Sequence, residues 1–191
     1  TASTTSWKSS PCWWCSHRLK PEDLSDLMNV EIVPMQPADW PMVREIYGEG
    51  IATGDATFET DIPDWKHWDG SHRKDCRLVA KENQRVAGWA ALSPVSARRV
   101  YDGVAEVSIY VAAGARGRKL GTSLLDALIR ESEANGIWTL QAGIFPENIA
   151  SLVLHKSHGF REVGIRRRIG KMASGWRDVL LLERRSSLVG V

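Results

Sequence analysis

The spacing of apolar and polar residues along this chain changes period several times, and each change predicts an element. Residues 104–111 alternate. Ala105, Val107, Ile109 and Val111 fall on one face, and Glu106, Ser108 and Tyr110 on the other, as in a strand with one polar face. Residues 112–115 break the alternation, with Gly114 as the loosest joint. After Arg116-Gly117-Arg118-Lys119-Leu120-Gly121 the period becomes helical, and Leu120, Leu124, Leu125, Leu128 and Ile129 form one apolar stripe. The pattern predicts strand, turn and helix in succession, and the rest of the chain is arranged around that unit.

Upstream, residues 30–33 predict a short strand, and Pro37-Ala38-Asp39-Trp40 starts a helix with Trp40, Val43, Ile46 and Tyr47 along one side. Thr57-Phe58-Glu59 predicts a short extended piece, and Asp64 caps a second helix carrying Trp65 and Trp68. Residues 76–81 and 85–92 form a hairpin around Glu82-Asn83-Gln84, followed by a polar loop over 93–103. Downstream, Asn135-Gly136 stops the central helix and residues 138–144 are a strand. Pro146-Glu147-Asn148 opens a helix through Ser151 to Lys156, closed by Gly159, and residues 160–165 and 179–183 are the last strands. No internal repeat is visible.

Residues 1–29 lack this patterning. Ser, Thr and Lys dominate, interspersed with Trp7, Trp13 and Trp14, so an irregular amino-terminal extension is expected, with one short helical turn from Pro21 to Met28. The body spans 30–185, and 186–191 is a tail. Cys12-Trp13-Trp14-Cys15 is a lone C-x-x-C beside His17; a zinc site needs about four ligands and no second pair stands at a suitable spacing, so no metal is expected. The length of 191 residues suits one domain with a sizeable core. A formal charge of +2 is too small to argue for nucleic acid, and no apolar run approaches a membrane span. Three cysteines form no disulfide framework, so a reducing, cytoplasmic setting is expected.

Chemistry concentrates near the central unit. A short glycine-bearing loop that opens a helix after a strand offers unpaired N–H groups and positive potential to a phosphate, and Arg116, Arg118 and Lys119 add cations. A solvent-exposed charged loop is the other reading. Glu106, on the polar face of the strand, is either a base for an amine or a solvated, ion-paired carboxylate. His155 is either structural or a proton carrier. Asn148 is a helix cap by type. Arg98 is either a surface residue or a bidentate grip on an acidic ligand, and Phe58 either packs or lines a pocket.

R-G-R-K-L-G after an alternating strand resembles the Q/R-x-x-G-x-G/A signature of the GCN5-related N-acetyltransferases, the GNAT superfamily. Arg116 matches the first position and Gly121 the last, while Lys119 stands where the family has a glycine, a place where positive φ would strain a side chain. Ala56-Thr57-Phe58-Glu59, Ser93-Pro94 through Arg98 and Tyr101, residues 105–111, Leu154-His155-Lys156, Gly159-Phe160 and Gly175-Trp176-Arg177-Asp178 narrow the resemblance to the branch acting on phosphinothricin and methionine sulfoximine. The resemblance implies an α/β (α+β) GNAT fold: a mixed, mostly antiparallel sheet of about six to seven strands flanked by about four helices. It implies acetyl-CoA as cosubstrate, held by Arg116, Gly117, Arg118, Lys119, Leu120, Gly121 and Thr122, by Asn148 and Ser151, and by backbone groups of Ile109, Tyr110 and Val111 that also receive the oxyanion. It further implies Glu106 as general base, His155 as proton donor to the departing sulfur, Phe58 and Arg98 in the substrate pocket, and a homodimer. The expected activity is acetylation of a small amino acid or analogue such as phosphinothricin, methionine sulfoximine or arsinothricin. Acetylation of a peptide amino terminus or polyamine, and a non-catalytic coenzyme A-binding module, are the alternatives.

Overall fold

A computed structural model describes residues 30–191. The expectations for residues 1–29, including the C-x-x-C and the helical turn at 21–28, lie outside the described residues. Seven strands form one sheet: β1 (Val30–Pro34), β2 (Arg77–Glu82), β3 (Arg85–Pro94), β4 (Val104–Val111), β5 (Thr139–Ile144), β6 (Arg161–Met172) and β7 (Gly175–Arg185). Their order in space is β1-β2-β3-β4-β5-β7-β6, and all neighbours are antiparallel except β4 and β5. Four helices flank them: α1 (Trp40–Ala52), α2 (Trp65–Ser71), α3 (Leu120–Ala134) and α4 (Ile149–Ser157). The mixed, mostly antiparallel sheet and its four helices are as expected.

The two faces of the sheet carry different cores. On one, α3 buries Leu124, Leu125 and Leu128 against Leu78, Leu92 and Ala105, with Val107, Ile109 and Val111 of β4 packed beside them. On the other, α1 and α2 bring Val43, Ile46 and Trp68 against Val79 and Trp89. This second core is largely aromatic. Trp89 stacks on Tyr110 at 4.7 Å between centroids and meets Trp68 edge-on at 5.6 Å. The alternation along β4 thus feeds Val107, Ile109 and Val111 to the aliphatic layer and Tyr110 to the aromatic one.

Local signals explain the joints. Asp64 accepts from the backbone N–H of His67 at 2.8 Å, the cap its residue type predicts. The β2–β3 turn places Asn83 and Gln84 at φ 47° and 66°, the paired positive values of a two-residue hairpin whose twist suits its strands. Two expectations are corrected. Residues 57–59 form no strand; Thr57 Oγ1 accepts from the Glu59 N–H and bends the segment. The closing strands are much longer than their apolar stretches, because β6 and β7 form one hairpin joined by Ala173 and Ser174. Backbone pairing with β7 carries β6 past a bulge at residues 167–169 and on to Met172, where no apolar alternation marks it. The tail folds back instead of leaving the body: Ser186 is buried and donates through its hydroxyl to Glu133.

Leu128 is fully enclosed in the aliphatic layer. Leu128→Ala should therefore lower unfolding free energy by about 2–5 kcal/mol, the range for a leucine cavity that cannot collapse, as read by urea denaturation.

Candidate active site

The parallel pairing of β4 with β5 runs only from Val104↔Thr139 to Glu106↔Gln141. Beyond Glu106, β4 stays paired with β3 as far as Val111 and has no partner on its other edge. The sheet splits there, and its unpaired peptide groups face a cleft of about 1050 Å³. That volume is at the upper end for ligand sites and leaves room for a long cosubstrate together with a small acceptor.

One end of the cleft is closed by the turn into α3. Residues Ala113–Ala115 make a 3-10 turn, Gly117 takes φ 77°, and Lys119 caps α3 in the left-handed region at φ 63° and ψ 12°. Lys119 occupies the family's glycine position and adopts the glycine conformation, at a cost of about 1–2 kcal/mol for a side-chain-bearing residue. Arg116, Gly117, Lys119, Leu120, Gly121 and Thr122 all line the cleft. The first N–H groups of α3 have no intrahelical partners and make this end an anion receptor. Gly121 lets α3 approach α4, since a Cβ there would lie 3.3 Å from Leu154. Arg118 does not line the cleft; it turns away to pair with Glu82 at 2.5 Å.

The side wall is α4 and the loop after α1. Asn148 accepts from the Ser151 N–H at 3.1 Å, as a cap should, and its amide also donates to the Asp55 carbonyl at 3.2 Å. That loop is strapped further by Arg177, whose guanidinium donates to the Gly54 carbonyl, Asp55 and Glu147 at 2.9–3.1 Å and lies over the Phe145 ring at 4.2 Å. Phe58 then packs edge-on to Phe145 at 4.8 Å and rests on Gly170, where a Cβ would come within 2.3 Å of its ring. Arg177 and Gly170 hold the wall that presents Phe58. Arg177 stood in a matched block without an assigned role, and Gly170 carried no local signal.

Glu106 projects into the cleft beside Gly143, where a Cβ would lie 3.5 Å from its Oε1. Its side chain is exposed to the cleft, yet the surrounding protein desolvates it enough to raise its carboxyl above the usual carboxylate range. Arg166 partly opposes that rise. No ion pair to Glu106 occurs among the described residues. An unpaired carboxylate in such a place is able to accept a proton from a bound molecule.

His155 is 2% exposed and stands on α4 at the cleft lining. Its Nδ1 lies 2.8 Å from the Ser151 carbonyl, which can only accept, so Nδ1 carries the hydrogen. Burial lowers its pKa, and Nε2 has no partner among the described residues. The resting imidazole is therefore neutral and carries an unpaired lone pair at a buried Nε2; donation to sulfur requires that it first take up a proton. Arg98 is exposed, begins the 3-10 turn Arg99–Tyr101 in the loop 95–103 and does not line this cleft. Ile109, Tyr110, Val111 and Ser151 do line it. Among the described residues no group of three or more His, Cys, Asp or Glu side chains could hold a metal, and no helix is long and apolar enough to cross a membrane.

A split sheet with an anion-receptive helix start at the split defines an acetyltransferase class, and the chain belongs to the acetyltransferase (GNAT) family, whose sequence pattern matches residues 40–160. It is 32% identical over 163 residues to phosphinothricin N-acetyltransferase of Streptomyces coelicolor, covering 81% of this chain and 95% of that protein. It superposes with a TM-score of 0.76 at 27% identity on a phosphinothricin acetyltransferase from Sinorhizobium meliloti in complex with AcCoA, covering 85% and 91% of the two chains. A ribosomal-protein-alanine N-acetyltransferase from Brucella melitensis gives a TM-score of 0.76 at 30% identity, covering 82% and 99%.

Lys119→Gly should relieve the left-handed strain and stabilise the fold by about 1 kcal/mol, seen as a higher Tm. As the lysine is one exposed charge among backbone donors, coenzyme A affinity should weaken by less than about fivefold in calorimetry. Loss of binding would instead make the lysine an essential ligand.

Proposed function

We propose that this chain transfers the acetyl group of acetyl-CoA to the amine of a small amino acid or amino-acid analogue of the phosphinothricin or methionine sulfoximine type. The observation that carries the reading is Glu106: an unpaired carboxylate of raised pKa, in the cleft opened by the split sheet, in line with the anion-receptive start of α3. The cosubstrate supplies an acetyl thioester with a thiolate leaving group. The α3 start and Arg116 would hold its phosphates, and the open edge of β4 and Ser151 its arm. An ammonium cannot attack, so Glu106 accepts the amine proton, directly or through a cleft water. Backbone N–H groups of β4 near Ile109–Val111 receive the oxygen charge that develops as the C–N bond forms and the C–S bond breaks. His155, neutral at rest, can pick up a proton within the cleft and return it to the sulfur; a thiol pKa near 8.5 lets thiolate leave without that help.

Assembly belongs to the same proposal. β6 is a twelve-residue edge strand, and it exposes Val163, Ile165 and Ile169 near an exposed Trp176 on β7. An unpaired edge of that length with these apolar side chains exposed can seat a second copy, and the homodimer that the family resemblance implies is expected by light scattering. Acetylation of a peptide amino terminus is the second reading, favoured by the similarity to the ribosomal-protein-alanine enzyme. A thiol-release assay over free amino acids, amino-acid analogues and amino-terminal peptides decides between them. Release with no acceptor in the panel would leave only coenzyme binding.

Glu106→Gln should lower kcat/KM about 100-fold at pH 7, the lower end of general-base catalysis. In the unmodified enzyme kcat/KM should fall as pH drops through the raised Glu106 pKa. The glutamine variant should lack that limb and recover as pH rises and free amine accumulates. The stability sign is opposite. A carboxyl whose folded pKa is raised above the ordinary 4.5 is destabilising when ionised, and stability falls as pH rises through the interval. At neutral pH, Glu106→Gln should melt no lower than the unmodified protein. A variant of normal rate at every pH would make Glu106 structural.

A further inference from the structure

Glu106, Gly143, Val179 and Arg166 sit in a row on one face of the sheet, on β4, β5, β7 and β6 in turn. A Cβ at Gly143 would touch Val179 at 3.2 Å and Glu106 at 3.5 Å, which places those three side-chain positions on the same face. Val179 is the register partner of Arg166, and directly opposed residues in an antiparallel pair point the same way. All four line the cleft. Three interstrand steps of about 4.8 Å lie between Glu106 and Arg166, and the row runs diagonally, offset by two residues at Gly143 and two more at Val179, so the backbones stand more than roughly 14 Å apart. Two long side chains reaching inward across that interval leave space for a small molecule, and the missing side chain at Gly143 keeps the floor open.

Arg166 is held in place by an irregularity in β6. Register jumps from Arg166↔Val179 to Gly170↔Arg177, so residues 167–169 oppose Asp178 alone. Arg168 takes φ 49° within this bulge, and its N–H donates to Asp178 Oδ1 at 2.7 Å. A bulge re-aims the residues around it, and here its two ends present Arg166 to the cleft and Gly170 to Phe58. Among the described residues Arg166 has no ion-pair partner, whereas Arg177 is occupied by Asp55 and Glu147. Its charge is nonetheless felt at Glu106, whose carboxyl it pulls down against burial.

We infer that Arg166 is a substrate-binding residue, which grips the carboxylate or phosphinate oxygen pair of the molecule whose amine Glu106 deprotonates. This rests on the proposed function. A zwitterionic acceptor suits the row: its ammonium meets the carboxylate and its acid meets the guanidinium, whose planar fork matches a two-oxygen anion. Val179 and Phe58 flank the stretch between them with apolar surface. Of the cations on the cleft, Arg116 and Lys119 serve the α3 end, which leaves Arg166 for the acceptor.

The test is calorimetry of phosphinothricin binding to the coenzyme A-saturated protein, which needs no turnover. Arg166→Ala should weaken phosphinothricin about tenfold or more, with coenzyme A affinity unchanged; Arg166→Lys, which keeps charge without the fork, should fall between. Norvaline, which lacks the phosphinate, and 3-aminopropyl(methyl)phosphinate, which lacks the carboxylate, show which acid is gripped: the compound retaining the gripped group keeps its dependence on Arg166. Equal phosphinothricin affinity in the unmodified protein and Arg166→Ala, absence of binding in both included, overturns the inference. Binding that depends on Arg166 without thiol release in the turnover assay upholds it and sinks the acetyltransferase reading instead.

Discussion

Parallel pairing between β4 and β5 stops after Glu106 and Gln141, and the site follows from that interruption. A continuous ladder would satisfy the peptide groups of residues 107–111 and leave no opening. Splitting the sheet leaves backbone donors and acceptors on an open β4 edge, a position that only a polar ligand or water can occupy without loss. The split is tolerated because both flanks are otherwise secured. β4 keeps its full ladder to β3, and β5 keeps six register pairs to β7. The aliphatic and aromatic cores close over the two faces of the intact half.

Residues that break local rules gather around this opening. Lys119 sits in a left-handed conformation at the cap of α3, and Arg168 does so within the β6 bulge. Glu106 carries a carboxyl in a partly desolvated place without an ion-pair partner among the described residues, and His155 buries an imidazole with one unpartnered nitrogen. Each is unfavourable for folding taken alone. Lys119, Glu106 and His155 all line one cleft, while Asp64 and Asn83 obey their cap and turn away from it, and that contrast separates site from scaffold.

Much of the scaffold was legible from periodicity. The alternation of β4, the stripe of α3 and the hairpin turn at Asn83-Gln84 are local signals, and the structure repeats them. Local signals also placed Glu106 on the polar face of β4 and gave Asn148 its cap role. What was hidden depends on pairing across distance. β6 continues to Met172 because β7 pairs with it on both sides of the bulge at 167–169, not because its side chains alternate. Its bulge, and hence the aim of Arg166, follows from Asp178 on a different strand. Arg98 looked eligible by residue type and block match, yet its loop lies off the cleft of this chain.

The wall bearing Phe58 illustrates how a loop without secondary structure acquires a fixed position. Residues 53–59 have no ladder of their own, so their carbonyls and carboxylates seek partners outside. Arg177 reaches them from β7 and Asn148 from α4, while Glu147 shares the same guanidinium. These exposed contacts are individually weak, on the order of 1 kcal/mol or less. The packing of Phe58 on Phe145, whose ring also lies against the Arg177 guanidinium, makes them cooperative: the ring cannot leave Gly170 without loosening the loop that three hydrogen bonds hold. A wall held by many small terms can open at modest cost. A cleft that must admit a long cosubstrate and a small acceptor, then exclude water, requires a wall of that kind.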